Sequence, residues 1–266
     1  MASRASKKPV WVVDKERQKR GVDARSLWLF GIHAVRDALK NPARRKERLI
    51  VTKNALDRLR DDIDAAGLTP EICDARQFSA PLEPQAVHQG AALEVRPLDW
   101  GSVSEICAPR GDTPLVILLD RVSDPHNVGA VLRSAEVFGA RAVIATTRHA
   151  APETGALAKT ASGALERQPY LRVQNLAGAM RALQQMGYYL IGLDGEADHT
   201  FDDALAKRPD LPLAVVLGAE GPGLRALSKT NCDALARIEY AGDFGSLNVS
   251  NAAAVALYAA SKHLRG

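Results

Sequence analysis

The sequence predicts an α/β protein in which a parallel β-sheet is covered by helices on both faces, with a smaller α/β unit before it. Beyond residue 114, four continuous apolar runs alternate with helical patterns, and such runs are typical of strands buried on both faces. They cover residues 115–119, 142–145, 189–193 and 213–217. The composition is 46% apolar and 25% charged, which excludes a disordered chain, a collagen and a coiled-coil rod. The longest unbroken apolar run has nine residues, about half of what a membrane-spanning helix requires.

The residues before this sheet divide into three parts. Residues 1–25 are polar and basic without periodicity, which predicts a flexible arm. Residues 26–97 are predicted to form a compact α/β unit, and residues 98–113, rich in glycine and proline, a linker to the domain at 114–266. The unit is predicted to contain a helix with Ile32, Val35 and Leu39 on one face, a strand at 48–52, a helix at 54–66 that ends at Gly67, and strands at 69–74 and 91–96.

Three helices are predicted within residues 114–266. The first covers 128–138, and its apolar stripe places Arg133 on the side away from the sheet. The second covers 176–186, with Asn175 as its N-cap and Gly187 at its end. The third covers 249–264 and is apolar on much of its circumference, which suggests that it is buried in a homodimer interface.

The net charge of +4 arises entirely in the first 113 residues, because residues 114–266 contain 15 basic and 15 acidic side chains. Two basic patches result, at residues 1–20 and 36–60. Such patches often bind phosphate backbones, but charge alone favours a solvated tail and a solvated helix face.

Cysteine usage predicts a reducing compartment. Cys73, Cys107 and Cys232 have no zinc-ligand spacing, and we expect buried, reduced thiols in a cytoplasmic protein. A transit peptide is a weaker alternative, because the basic start is followed by the very polar run DKERQKR. Glu196, Asp198 and His199 have no recognisable ligand spacing either, and we expect a surface loop and no metal.

Three glycine-rich or polar segments lie at the ends of predicted strands or before a helix, at residues 119–129, 217–223 and 242–251. Ligands of open parallel sheets bind beyond the carboxyl ends of the strands. The segments match neither the GxGxxG fingerprint nor the phosphate-binding P-loop, which argues against nicotinamide and nucleoside triphosphate binding. Each also has a structural explanation, with Asn127, Ser246 or Asn248 as helix caps, Glu220 as an acid in a first helical turn and Arg133 as a surface arginine.

Taken together and in this order, the three segments resemble the signature motifs of the TrmH/SpoU branch of the SPOUT superfamily, which consists of S-adenosylmethionine-dependent RNA ribose 2'-O-methyltransferases. The matching sequences are DPHNVGAVLRSAEVFGA, LAVVLGAEGPGL and GSLNVSNAAAV. The segments FGIHAVRDAL and VHQGAAL also resemble the start and end of a small ribosomal-protein-like RNA-binding domain, found in the branch that methylates guanosine in 23S rRNA.

The resemblance implies a trefoil knot near the C-terminus, a homodimer, and an S-adenosylmethionine site formed by Gly218, Ile238 and Leu247. It also implies that Arg133 assists the ribose hydroxyl, that Asn127 and Glu220 position Arg133 and the ribose, and that Ser246 and Asn248 shape the site. Deprotonating a free arginine at pH 7 costs about 7 kcal/mol. We therefore expect Arg133 to bind the adjacent phosphate and stabilise the developing alkoxide, without a metal.

The expected function is methylation of a ribose 2'-hydroxyl in structured RNA, with 23S rRNA favoured. The alternatives are a tRNA ribose 2'-O-methyltransferase and a noncatalytic RNA-binding or ribosome-assembly protein. The noncatalytic alternative is suggested by Glu239, Tyr240 and Asn251, which stand where the family usually has proline, methionine and valine.

Overall fold

The computed structural model describes residues 26–82, 86–111, 114–207, 210–241 and 247–265, and these residues form two β-sheets. The predicted arm at 1–25 and the site candidate Ser246 lie outside the described residues.

The first sheet has four strands in the order β1-β4-β2-β3, in which β4 is antiparallel to both β1 and β2, and β2 is parallel to β3. Its elements are β1 (Leu27–Phe30), α1 (Ile32–Lys40), β2 (Lys46–Thr52), α2 (Lys53–Ala66), β3 (Glu71–Cys73) and β4 (Ala91–Val95). The hydroxyl of Thr52 caps α2, and Gly67 ends it in the left-handed conformation, at φ 65°. Both predicted helices and all three predicted strands of this unit are confirmed. β1 was not predicted, because its four residues carry no polar alternation.

The second sheet has six parallel strands in the order β10-β8-β9-β5-β6-β7. The strands are β5 (Leu115–Asp120), β6 (Ala142–Thr146), β7 (Tyr170–Val173), β8 (Tyr189–Leu193), β9 (Leu213–Gly218) and β10 (Ala234–Ala236). The four predicted strands are confirmed. The two that sequence reasoning missed, β7 and β10, are the edge strands, which are short.

Seven helices accompany this sheet in the described part of the chain. They are α3 (Val103–Ile106), α4 (Pro125–Phe138), α5 (Gly155–Ala161), α6 (Leu176–Gln185), α7 (Phe201–Ala206), α8 (Ala226–Thr230) and α9 (Val249–His263). The short α3 forms inside the predicted linker, where Ser102 and Glu105 make a reciprocal capping box. α4 begins three residues earlier than predicted, because Asp124 caps it and Pro125 occupies its first position.

Apolar side chains of the second sheet enter two separate cores, one on each face. Ile117 and Leu119 belong to one core, which also contains residues of α4, α9 and the first sheet. Val116 and Leu118 belong to the other core, with Met180 of α6. The sheet is therefore covered on both faces, as predicted. None of the helices in the described residues is long and apolar enough to cross a membrane.

The two sheets are joined by close packing of α5 against β1. A Cβ atom added at Gly155 would lie 2.2 Å from two ring carbons of Phe30, so glycine is needed for this contact.

Several cations of the basic patch at residues 36–60 form ion pairs in the fold. Arg36 pairs with Asp62, Arg48 with Glu71 and Arg60 with Asp57. Arg44 is only 2% exposed, so it does not belong to a solvated face.

Candidate active site

Polar side chains from the three glycine-rich or polar segments meet at the carboxyl edge of the second sheet. The amide nitrogen of Asn127 donates to Oε1 of Glu220 at 3.2 Å. The amide nitrogen of Asn248 donates to the same oxygen and, at 3.1 Å, to Oδ1 of Asn127. We call Asn127, Glu220 and Asn248 the polar cluster. It joins positions that are 93 and 28 residues apart in the chain.

Each member of the polar cluster is held by a different local structure. Asn127 is the third residue of α4, so the alternative that it caps this helix is wrong, since Asp124 is the cap. Asn248 does cap α9, and its Oδ1 accepts from the backbone N–H of Ser250 at 2.9 Å. Because only Oδ1 of Asn248 is used in capping, its amide nitrogen is available for the hydrogen bonds of the polar cluster. Glu220 lies in a turn rather than in the first turn of a helix, which corrects the helix alternative for this residue.

The turn that carries Glu220 spans residues 219–224 and depends on glycine; we call it the β9 turn. A Cβ atom at Gly218 would lie 2.0 Å from the carbonyl carbon of Gly223, so only glycine allows these backbones to approach. Gly221 and Gly223 have φ values of 80° and 64°, which L-residues with a side chain rarely adopt. The backbone N–H of Gly223 donates to the carbonyl of Ala219 at 2.9 Å and closes the turn.

A cleft of about 870 Å³ adjoins the polar cluster. Its walls include all three predicted cofactor-binding residues, Gly218, Ile238 and Leu247, together with Glu220. The remaining walls come from the β9 turn, the residues after β8, residues 239–240 and the start of α9. This volume is within the range of small-molecule sites, about 300–1,000 Å³. The lining combines glycine backbone with apolar side chains such as Ile238 and Leu247.

The cleft has a mostly acidic rim. Asp194, Glu196 and Glu239 line it, and Lys229 is the basic residue among its described walls. Lys229 forms an ion pair with Asp194, and this hydrogen bond lowers the pKa of the Asp194 carboxyl below its ordinary value. Tyr240, one of the departures from the family pattern, also lines the cleft and is 46% exposed.

Arg133 is not part of the polar cluster. It is exposed on α4, as predicted, and lies about 9 Å along the helix axis from Asn127. Within the described chain, no residue forms a hydrogen bond or an ion pair with its guanidinium. Arg133 is thus open to solvent on the same helix that carries Asn127.

Sequence reasoning gave no role to Asp120, although the residue offered a signal. It is a charged residue at the end of an apolar strand, and in the structure its side chain is completely buried. It accepts hydrogen bonds from Arg225 and Ser228, which lie just beyond the β9 turn.

The thiols and carboxylates elsewhere form no further candidate centre in the described residues. No group of three or more histidine, cysteine, aspartate or glutamate side chains there has a geometry that could hold a metal ion. The three cysteines are free. Burial raises the pKa of the Cys107 thiol to about 12, so this thiol is protonated at neutral pH.

These features define a class of protein: an α/β protein with a parallel sheet and a small-molecule cleft at the carboxyl edge of that sheet. Two family descriptions match the chain. Residues 114–258 match the SpoU rRNA Methylase family, and residues 28–100 match the RNA 2'-O ribose methyltransferase substrate binding family.

Curated relatives agree with this match. A Vibrio cholerae protein named 23S rRNA (guanosine-2'-O-)-methyltransferase RlmB is 39% identical over 239 residues, which cover 87% of this chain and 95% of the relative. The Escherichia coli protein of the same name is 37% identical over 243 residues, or 88% of this chain and 98% of the relative. The chain therefore belongs to the SpoU rRNA methylase family, as its motifs indicated.

Solved structures show the same fold. The AdoMet-bound rRNA methyltransferase from Sinorhizobium meliloti superimposes with a TM-score of 0.75 at 21% identity and covers 97% of this chain and 95% of its own. The SpoU methyltransferase AviRb from Streptomyces viridochromogenes, in complex with AdoMet, gives a TM-score of 0.73 at 23% identity, with coverage of 93% and 92%.

Proposed function

We propose that this chain methylates a ribose 2'-hydroxyl of guanosine in 23S rRNA, with S-adenosylmethionine as methyl donor. The observation that carries the proposal is the polar cluster of Asn127, Glu220 and Asn248 beside a cleft lined by Gly218, Ile238 and Leu247. The names of the curated relatives support 23S rRNA as the substrate. A ribosomal RNA substrate also supports the cytoplasmic location expected from cysteine usage.

S-adenosylmethionine supplies a methyl group on a sulfonium, which is already an activated leaving group. The chain must bring the ribose hydroxyl into line and stabilise the charge that develops on its oxygen. Arg133 is suited to this role because its guanidinium is exposed and has no partner among the described residues. Binding of the neighbouring phosphate by Arg133 would hold the nucleotide, and the same charge would stabilise the alkoxide.

The polar cluster orients the ribose in this proposal. Oε1 of Glu220 accepts hydrogen bonds from Asn127, Asn248 and the backbone N–H of Val249, which fix the carboxylate. Oε2 has no partner among the residues that the structure describes. It is therefore available to accept a hydrogen bond from a ribose hydroxyl. Ser246 is assigned to shaping the site on the resemblance alone.

The finer architecture is also part of the proposal. Residues 26–97 would bind RNA, residues 98–113 would link, and residues 114–266 would form the methyltransferase domain with the trefoil knot. The placement of Asn248 and α9 against the β9 turn supports the knot, since the end of the chain returns to a loop made earlier. Val255 and Tyr258 of α9 are 45% and 56% exposed and would be covered in the homodimer.

The test is transfer of labelled methyl from S-adenosylmethionine to unmodified 23S rRNA and, separately, to unmodified bulk tRNA. Arg133→Ala should lower turnover by about 10²-fold or more and leave cofactor binding nearly intact. Arg181→Ala removes another exposed arginine, on α6, and should have no effect. Label in tRNA alone would overturn the proposed substrate. Failure of the wild-type protein to bind the cofactor would favour the noncatalytic alternative.

A further inference from the structure

Asp120 is a buried carboxylate that the mechanism above does not use. It is the last residue of β5, and its side chain has no solvent exposure. Oδ2 accepts from the backbone N–H of Arg225 at 3.1 Å and from the hydroxyl of Ser228 at 2.6 Å, and Oδ1 accepts from Nε of Arg225 at 2.7 Å. Burying a carboxylate costs free energy unless its oxygens accept hydrogen bonds, and here both oxygens do. The arrangement therefore has either a functional or a stabilising role.

The position of Asp120 connects it to both ends of the β9 turn. In the parallel pairing of β5 with β9, Asp120 lies opposite Gly218, where the turn begins. The turn is closed by the bridge between Ala219 and Gly223, and Arg225 follows its last residue. The backbone of Asp120 therefore holds the beginning of the turn, and its carboxylate holds the end.

Glu220 and the cleft wall lie between these two anchors. Only the six residues 219–224 separate Gly218 from Arg225, and the last of them, Leu224, is packed in the second core and is bonded directly to Arg225, so the two would move together. A shift of the downstream anchor would therefore move Glu220 relative to Asn127 and Asn248, which are held by other elements. It would also move the glycine backbone that lines the cleft.

We propose that Asp120 is a positioning residue for the methyl transfer. Its carboxylate holds the backbone N–H of Arg225 and thereby places Glu220 and the glycine wall of the cleft. The expected effect of Asp120 on turnover rests on the proposed function, whereas its anchoring of the β9 turn does not. The Arg225 side chain is 41% exposed and mainly offsets the buried charge, whereas the backbone N–H is what fixes the turn.

The experiment compares Asp120→Ala with Arg225→Ala, which removes the guanidinium and keeps the backbone N–H. The first measurement is hydrogen exchange of the peptide covering residues 219–225 in the protein without cofactor. Asp120→Ala should speed exchange by about tenfold or more, which is the effect of losing a hydrogen bond to a charged group. It should also lower kcat and weaken cofactor binding by a similar factor. Arg225→Ala should lower the melting temperature, because it removes the cation from a buried carboxylate, but exchange in the β9 turn and kcat should stay within about threefold of wild type.

A control separates positioning from general destabilisation. Leu171→Ala truncates a buried side chain on the edge strand β7, three strands from β9, and should lower the melting temperature without moving exchange in the β9 turn or kcat. If Asp120→Ala does not fold, Asp120→Asn replaces it. Asparagine keeps the volume of the side chain but offers one acceptor oxygen where the carboxylate offers two, so the three hydrogen bonds cannot all form and exchange in the β9 turn should still be faster than in wild type.

Wild-type exchange and kcat in the Asp120 variant would overturn the proposal, and so would a Leu171→Ala protein that reproduces its defects. An Arg225→Ala protein as impaired as Asp120→Ala would overturn the route through the backbone N–H. If the wild-type protein transfers no methyl to any RNA tested, the proposed function fails, while the exchange comparison still decides whether Asp120 anchors the turn.

Discussion

Arg44 and Glu166 form a buried ion pair between the two sheets. Nη2 of Arg44 lies 2.7 Å from Oε1 of Glu166, and their side chains are 0% and 4% exposed. Arg44 follows α1 of the first unit, whereas Glu166 precedes β7 of the second sheet. The guanidinium also donates to the carbonyl of Arg96 at 2.8 Å and lies 3.4 Å from Oε2 of Glu153. One cation thus joins the predicted RNA-binding unit to two carboxylates of the other unit.

Removal of the Arg44 guanidinium should destabilise the folded protein. Arg44→Met leaves two buried carboxylates without their partner, and we expect a loss of about 3–5 kcal/mol in the free energy of unfolding. Urea denaturation followed by circular dichroism measures it. Arg45→Met is the matched control, because the Arg45 side chain is 75% exposed and its loss should cost no more than about 0.5 kcal/mol. Equal effects of the two changes would contradict the interpretation of the Arg44 contacts.

Stability should depend on pH through Glu153. Burial raises the pKa of its carboxyl above the ordinary value of 4.5, an effect that Arg44 only partly offsets. A raised pKa means that the folded protein holds the proton more tightly than the unfolded chain. The stabilisation is therefore complete below pH 4.5 and is lost as pH rises through the folded-state pKa.

The variant Glu153→Gln cannot ionise, so its stability relative to wild type should increase from pH 4 to pH 8. Glu71→Gln is a control for which we expect a pH dependence of stability with the opposite sign. A hydrogen bond from Arg48 lowers the pKa of the Glu71 carboxyl, so wild type should lose stability relative to this variant as pH falls. Denaturation midpoints from pH 4 to pH 8 measure the Glu153 slope, and their extension below pH 4 measures the Glu71 slope, because the Glu71 contribution is lost only as pH falls below the ordinary pKa of 4.5. Parallel profiles for wild type and Glu153→Gln would argue against the raised pKa.

The fold was predictable from the sequence wherever an element was long and its period clear. The apolar runs of β5, β6, β8 and β9 identify the parallel sheet, and Gly67 and Asn175 mark helix boundaries. Short elements such as β10, with three residues, were not predictable because they offer no period to detect. Arg44 could not be distinguished from its basic neighbours, since its burial depends on carboxylates more than 100 residues away.

The candidate site was predictable only in part. The three segments were found from their place at strand ends, but their meeting and the residue roles came from the family resemblance. Asn127 also fits the sequence pattern of a helix cap, and only the start of α4 at Pro125 resolves this. The hydrogen bonds to Glu220 depend on the β9 turn, whose path is set by Gly218, Gly221 and Gly223 rather than by any local preference of Glu220.

Alanine substitutions at two helical glycines should change the stability of the protein in opposite directions. A Cβ atom at Gly129 of α4 would lie 2.8 Å from Cβ of Thr160 and 2.9 Å from the carbonyl oxygen of Leu157 on α5. Because backbone atoms cannot move aside without a large cost in free energy, Gly129→Ala should destabilise the protein by about 1–3 kcal/mol. At Gly178 of α6 the nearest atom would be 3.7 Å away, and Gly178→Ala should stabilise by roughly 0.5 kcal/mol through helix propensity. Thermal unfolding of the two variants tests the pair, and a loss of stability in both would contradict the expected contrast.

The close approach of Gly218 to Gly223 makes a sharper prediction about the cleft. Gly218→Ala would place a methyl group 2.0 Å from the backbone of Gly223, so the β9 turn must move and Glu220 with it. Cofactor affinity should fall by about tenfold or more, because both the glycine wall and the polar cluster shift. Gly195→Ala is the matched control, since Gly195 also lines the cleft but an added Cβ there meets nothing within 4 Å. Calorimetric titration with S-adenosylmethionine compares the two variants. If Gly218→Ala binds as tightly as Gly195→Ala, the glycine wall does not form the cofactor site.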